Sequence, residues 1–262
     1  MLRILTLTSA LALSAAAAMA PAWAEDIKVG VSPGEHAEIM EEVAKVAEPL
    51  GLTIKVVEFS DYVIPNTALA DGDIQANSFQ HRPYLENQIK DRGFDLVEIG
   101  TTITTPMGVY SDKLENIADL PEGARIGIPN DPTNGGRALL ILQDLGLLTL
   151  AEGTGLVPTP LDVTENPKGL KFLELDAAQL PRSLADTEAS IINTNYALAA
   201  GLDPNTDTIA IEKADSPYVN IIVVRQGDQD QPWAKTLVEA YHSAEVKSFI
   251  EDKYKGSVLT SW

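Results

Sequence analysis

Short apolar, β-branched runs alternate with amphipathic helical segments along most of this chain, and the alternation begins twice. Residues 27–31 read as a strand. Residues 35–48 follow as a helix with Ile39, Met40, Val43, Val46 and Ala47 on one face, stopped by Pro49 and Gly51. A strand over 52–59, a short helix from Pro65 to Gly72, a strand over 74–79 and a helix over 81–92 closed by Gly93 come next. After Pro121 the pattern restarts: a strand at 125–128, a turn, a helix over about 136–145 ended by Gly146, and strands at 171–175 and 190–193. A brief helix at 196–200, a β segment at 218–225 and helices near 232–241 and 245–254 complete it. Such alternation predicts α/β layers built on mainly parallel sheets. Two lobes are expected, with the extended stretches 102–110 and 218–225 as crossings between them.

The first 24 residues read as a leader rather than as part of the fold. Arg3 is followed by an uncharged apolar stretch, and Ala22-Trp23-Ala24 offers the small residues that a signal peptidase reads. Cleavage before Glu25 leaves 238 residues, enough for one large core or two small ones. It also removes Arg3, so 18 basic residues face 38 acidic ones. That balance excludes nucleic acid as a partner, because affinity for nucleic acid comes from neutralising phosphates. The chain has no cysteine, hence no disulfide and no thiol to carry a lipid. An exported, periplasmic protein held by packing alone is expected.

Several motifs invite chemistry. Gly30-Val31-Ser32-Pro33-Gly34 matches the G-x-S-x-G nucleophile elbow, and Asp207 or Asp215 and His242 follow in triad order. The residue after the serine must donate its N–H to an oxyanion, and here it is Pro33, which has none. Ser32, Pro33 and Glu35 instead fit N-cap, N1 and N3 of a capping box. His36, His81 and His242 form no close metal pair, and neither nucleotide-binding glycine fingerprint is present, so no metal or cofactor is expected. Two junctions remain. Asn130-Asp131-Pro132-Thr133-Asn134-Gly135-Gly136-Arg137 joins a strand to a helix; Arg137 is either a solvated side chain or a planar fork for a carboxylate. In the segment Asn77 to Leu85, Phe79, His81 and Tyr84 are either core and cap residues or the lining of a pocket at a strand end, with Tyr62 in an earlier loop of the same type. Asn193, Asn195 and Asn220 end apolar strands and either satisfy backbone groups or face a cleft.

Taken together, Lys28-Val29-Gly30-Val31, Phe59-Ser60-Asp61-Tyr62 with Pro65-Asn66, Ala76 to Leu85 (ANSFQHRPYL) and Ile128 to Leu139 (IPNDPTNGGRAL) resemble the methionine-binding substrate-binding proteins of the NlpA lipoprotein family. Gln179-Leu180-Pro181-Arg182, Asn193 to Ala197 and Ser216 to Asn220 extend the resemblance in order along the chain. The resemblance implies a type II periplasmic-binding fold: residues 25–108 and 222–262 form one α/β lobe and 109–221 the other. It also implies a non-catalytic, monomeric receptor that delivers methionine to the membrane permease and ATPase of an ABC importer. Arg137 is then expected to grip the ligand carboxylate. Asn195 and Asn220 would hold the ammonium and carboxylate ends, while Tyr62, Phe79, His81 and Tyr84 line the side-chain pocket. Family members commonly carry a lipidated cysteine after the leader, and this sequence departs from them there. The alternatives are a secreted serine hydrolase using Ser32, or a receptor for D-methionine, a methionine dipeptide or another apolar amino acid.

Overall fold

The computed structural model describes residues 25–213 and 216–262, and the leader lies outside them. The chain opens with β1 (Glu25–Val31), α1 (Glu35–Ala47), β2 (Leu52–Glu58), α2 (Ile64–Ala70), β3 (Ala76–His81), α3 (Arg82–Arg92) and β4 (Leu96–Thr101). It then crosses to lay down β5 (Gly108–Tyr110), β6 (Arg125–Pro129), α4 (Pro132–Asp144), β7 (Lys171–Leu175), α5 (Leu180–Ser183), β8 (Ala189–Ile192), α6 (Thr194–Ala199) and β9 (Thr208–Ile211). It returns with β10 (Asn220–Arg225), α7 (Pro232–Tyr241) and α8 (Ala244–Tyr254).

Two five-stranded sheets result, ordered β2-β1-β3-β10-β4 and β7-β6-β8-β5-β9. In each, four strands share one direction, and the strand that arrives from the other lobe inserts antiparallel between the third and the fourth. This shared order makes each lobe depend on a strand delivered by a crossing, so the two sheets cannot be assembled independently of those segments. Strands buried on both faces carry apolar residues at successive positions. β10 illustrates this: Ile222 and Val224 join the core under α1, α7 and α8, and Ile221 and Val223 face the core under α2 and α3. The second lobe packs α4 against one face of its sheet, through Ala138, Leu139 and Leu142, and α5 and α6 against the other.

The crossings fall at residues 102–107 and between β9 and β10. The lobe limits expected at 108/109 and 221/222 therefore cut strands, because Gly108 already pairs with Ile192 and Asn220 with His81. The C-terminal end straps the first crossing: Leu259–Thr260 pairs with Ile103–Thr104, and Thr101 Oγ1 donates to the Ser261 carbonyl at 2.7 Å.

One helix cap and one helix start differ from expectation. α1 begins at Glu35 with Gly34 as its N-cap, without any side-chain cap, so Ser32, Pro33 and Glu35 do not form a capping box. The physical reason is close approach. Gly34 has φ of 88°, and a Cβ there would lie 2.6 Å from the Asn195 carbonyl oxygen across the lobe boundary. α4 begins at Pro132, four residues before the expected position, capped by Asp131 through its bond from Asn134 N at 2.9 Å. Aspartate at the cap and proline at N1 outweigh the helix-weakening glycine pair. Gly135 and Gly136 serve packing rather than ligand approach: Cβ atoms there would meet Pro129 O at 2.7 Å and Leu156 O at 2.8 Å.

Candidate functional site

The elements converge on one narrow cavity between the lobes. Tyr62, Phe79, His81, Tyr84, Arg137, Asn195 and Asn220 all line it. His36, Gln80, Thr105 and Asn134, which sequence reasoning gave no ligand role, also line it, as does Asn193, which that reasoning left as either a backbone partner or a cleft-facing residue.

One wall is aromatic. Tyr62 lies in the loop before α2, Phe79 in β3 and Tyr84 in the first turn of α3. Tyr62 and Phe79 have ring centroids 5.9 Å apart, and Tyr84 meets Phe79 edge-on at 6.0 Å. Tyr62 also leans on Tyr196 of the opposite lobe at 5.0 Å. β3 is buried at every position although four of its six residues are polar. Beneath the aromatic wall, Asn66, Asn77 and Gln80 satisfy one another: Asn66 Nδ2 donates to Gln80 Oε1 at 2.9 Å, and Gln80 Nε2 donates to Asn66 Oδ1 at 2.7 Å. A closed amide network of this kind removes the cost of burying polar groups and holds the strand rigid.

The polar wall is built at helix N-termini. His81 caps α3, its Nδ1 accepting from Tyr84 N at 3.1 Å. The proton therefore sits on Nε2, which reaches Asn134 Oδ1 at 3.2 Å across the cleft. Burial pushes this imidazole down to about 3, and the nearby Arg137 charge adds to the effect. Burial likewise pushes His36 down to about 4. Asn134 also accepts from Asn193 Nδ2 at 2.9 Å, and its own amide donates to Asp131. The caps of α3, α4 and α6 thus interlock through one asparagine.

Arg137 stands in the second turn of α4 and is 2% exposed. Nε donates to Glu212 Oε1 at 2.9 Å, and Nη2 donates to Glu212 Oε2 and to the Thr105 carbonyl. Its guanidinium carbon lies 4.4 Å from the Tyr218 ring centroid. No described residue accepts from Nη1. The expectation of a solvated side chain is thereby excluded. The arginine is buried, neutralised by a carboxylate and oriented by the two crossings. Glu212 and Tyr218 are the functional neighbours that sequence reasoning missed.

Some buried polar atoms of the lining have no protein partner: Asn193 Oδ1, Asn195 Nδ2 and His36 Nδ1. Asn195 Oδ1 accepts from Tyr62 Oη at 2.5 Å, which leaves its amide nitrogen free to donate into the cleft. Asn193 offers the complementary acceptor. Asn220 starts β10 at the cavity and pairs with His81 along the sheet. An acceptor, donors and a guanidinium above an aromatic slot form a constellation that suits a small zwitterion with an apolar side chain.

The hydrolase alternative finds no matching geometry. Ser32 Oγ is buried and makes no hydrogen bond. His242 Nε2 pairs with the Thr101 carbonyl at 2.8 Å and its ring stacks on Trp262. Asp207 accepts from the Asp203 backbone in a surface turn. Asp215 lies outside the described residues. Among the described residues no cluster of three metal-ligating side chains occurs, and no helix is long and apolar enough to cross a membrane.

Known proteins share this architecture. The nutrient binding protein of Burkholderia cenocepacia bound to methionine is 55% identical, with a TM-score of 0.88 over 90% of this chain and 100% of that one. The crystal structure of the methionine binding protein MetQ is 48% identical, with a TM-score of 0.88 over 90% of this chain and 98% of that one. The D-methionine-binding lipoprotein MetQ of Salmonella typhimurium is 49% identical over 239 residues, which cover 90% of this chain and 88% of that protein. The family model described as NlpA lipoprotein matches residues 27–262, and the chain belongs to that family.

Proposed function

We propose that this chain is a non-catalytic periplasmic receptor that captures methionine between its lobes and presents it to the permease and ATPase of an ABC importer. One observation carries the reading: Arg137, the unpartnered amide atoms of Asn193 and Asn195, and the Tyr62–Phe79–Tyr84 wall all open into a single interlobe cavity. The carboxylate takes Nη1 of Arg137 and Nδ2 of Asn195. The ammonium takes Oδ1 of Asn193, with Asn220 completing the polar end. The thioether lies among the aromatic rings, where each sulfur contact is worth about 0.3–1.5 kcal/mol. A charge-assisted bond contributes about 1.5–3 kcal/mol, and burial of the side chain a similar amount. Less the cost of association, micromolar or tighter binding results. The relatives that carry methionine in their names, and the methionine-bound neighbour, support this cargo over other apolar amino acids.

Lobe contacts of the closed cleft, such as Tyr62 with Asn195 and Tyr196 Oη with the Ser60 carbonyl at 3.2 Å, define the form that the transporter recognises. Isothermal calorimetry on ligand-stripped protein tests the reading. Saturable binding of L- or D-methionine is expected, with leucine, glutamate and arginine weaker. Silence towards every amino acid contradicts it.

A further inference from the structure

Glu212 does not line the cleft, yet it is tied to everything that shapes its charged end. Its carboxylate accepts from Arg137 Nε and Nη2, from the Met107 backbone at 3.1 Å and from Ser216 Oγ at 3.1 Å. Its own backbone N–H donates to the Met107 carbonyl at 2.9 Å. The glutamate therefore stands where the two crossings meet, behind the guanidinium as seen from the cavity. We propose that Glu212 is a specificity-determining positioning residue: by neutralising Arg137 it makes the cleft select net-neutral amino acids over the desamino acids that share their carboxylate and side chain.

The charge inventory of the cavity supports this. The lining contains two histidines, and burial keeps both neutral at neutral pH, pushed down to about 4 at His36 and about 3 at His81. Tyr62 and Tyr84 are raised by burial and stay protonated. Glu35, whose carboxyl lies 3.8 Å from His36 Nε2, is pushed up to about 8 by burial and is predominantly neutral. Asp131 lies outside the lining, its carboxylate accepting from Asn134 and Thr133 at the α4 cap, and its charge helps hold Tyr62 and Tyr84 protonated. Among the groups that contact the guanidinium, Arg137 and Glu212 supply opposite formal charges that cancel. A zwitterion adds two opposite charges that also cancel. A desamino acid adds a lone negative charge in a dry, low-dielectric space, where an unbalanced ion is costly. It also leaves the acceptor of Asn193 unmet. Without Glu212, the same arginine would be an uncompensated cation and would favour that anion.

This inference rests on the amino-acid reading of the cleft, and the experiment separates the two. L-methionine and 4-(methylthio)butanoate, its desamino counterpart, are titrated calorimetrically into the full chain at neutral pH. The wild type is expected to prefer methionine by about a hundredfold or more, the equivalent of two tenfold steps in affinity. E212Q is expected to shrink that preference by about tenfold or more, and E212D to restore it. A merely structural role would weaken both ligands together and leave the ratio unchanged, which overturns the proposal. A wild type that binds the anion as tightly as methionine overturns it without any variant, so the test survives an E212Q chain that does not fold. If the wild type binds neither compound, the amino-acid reading itself fails.

Discussion

Arg137 shows how far a single residue can be read from its neighbours in sequence and where such reading stops. Although the helix start at Asp131-Pro132 was read as a turn and the helix begun four residues late, the phrase around Arg137 was legible as a strand-to-helix junction carrying an arginine. Its environment was not, because the carboxylate that neutralises it lies 75 residues away and the carbonyl that orients it 32 away. Glu212 follows a weak edge strand and looks like any surface glutamate. Asn134 was visible within the same phrase, but nothing local says that its carbonyl oxygen joins His81 to Asn193. Such roles belong to tertiary geometry. The fork geometry itself is testable. Lysine cannot make paired bonds to Glu212 while reaching the cavity. Arg137→Lys should weaken methionine binding by about 1.5–3 kcal/mol, read by calorimetry. Unchanged affinity would mean that the guanidinium does not touch the ligand. Tyr62→Phe tests the neighbouring contact more gently: it bares Asn195 Oδ1 and should cost about 1 kcal/mol of affinity.

At the scale of elements, β1, β2, α3, α7 and α8 were readable nearly to the residue, some from apolar patterning and α3 from its terminal signals. Gly93 and the αL cap it supplies to α3 are an instance. The cap of α1 was misread, although its start at Glu35 was not, because a tertiary contact decided it. Gly34 is needed against Asn195, and Ser32 is left buried ahead of a half-buried Pro33-Gly34 turn. The same packing buries Glu35 completely, with neither carboxylate oxygen hydrogen-bonded, and burial pushes its pKa from 4.5 up to about 8. The unfolded chain releases this proton above about pH 4.5, whereas the folded chain keeps it until about pH 8. Its contribution to stability is therefore fully present below 4.5 and is lost as pH rises to 8, by an amount on the order of 4 kcal/mol. His36 slopes the other way: its folded value is about 4 against 6.5 unfolded, so stability is lost as pH falls through that window. Glu35→Gln should then raise the thermal midpoint substantially at pH 8 and far less at pH 5. An equal change at both values would show that Glu35 is not held protonated by the fold.

Taken whole, the molecule is two sheets of one topology, each completed by a strand that the other lobe sends across. The alternation of strands and helices announced two α/β lobes; which strands complete which sheet depended on the crossings, and sequence periodicity carries no information about that. The cleft exists because β3, α3, α4, α6 and β10 all end at the seam. Closure across the seam depends on the bare backbone of Gly34. Gly34→Ala should hold the lobes apart, raising the methionine Kd by about tenfold or more and increasing the radius of gyration of the methionine-saturated protein in small-angle scattering. A variant that closes like the wild type would show that this contact does not limit closure. The central claim is that the interlobe cavity is the methionine site. Its most direct test is a crystal of the protein, produced with ordinary methionine and then saturated with free L-selenomethionine, in which the ligand alone scatters anomalously. The account predicts one strong selenium peak among Tyr62, Phe79 and Tyr84, with the ligand carboxylate on Arg137. A peak on the outer surface, or none at saturating ligand, contradicts it.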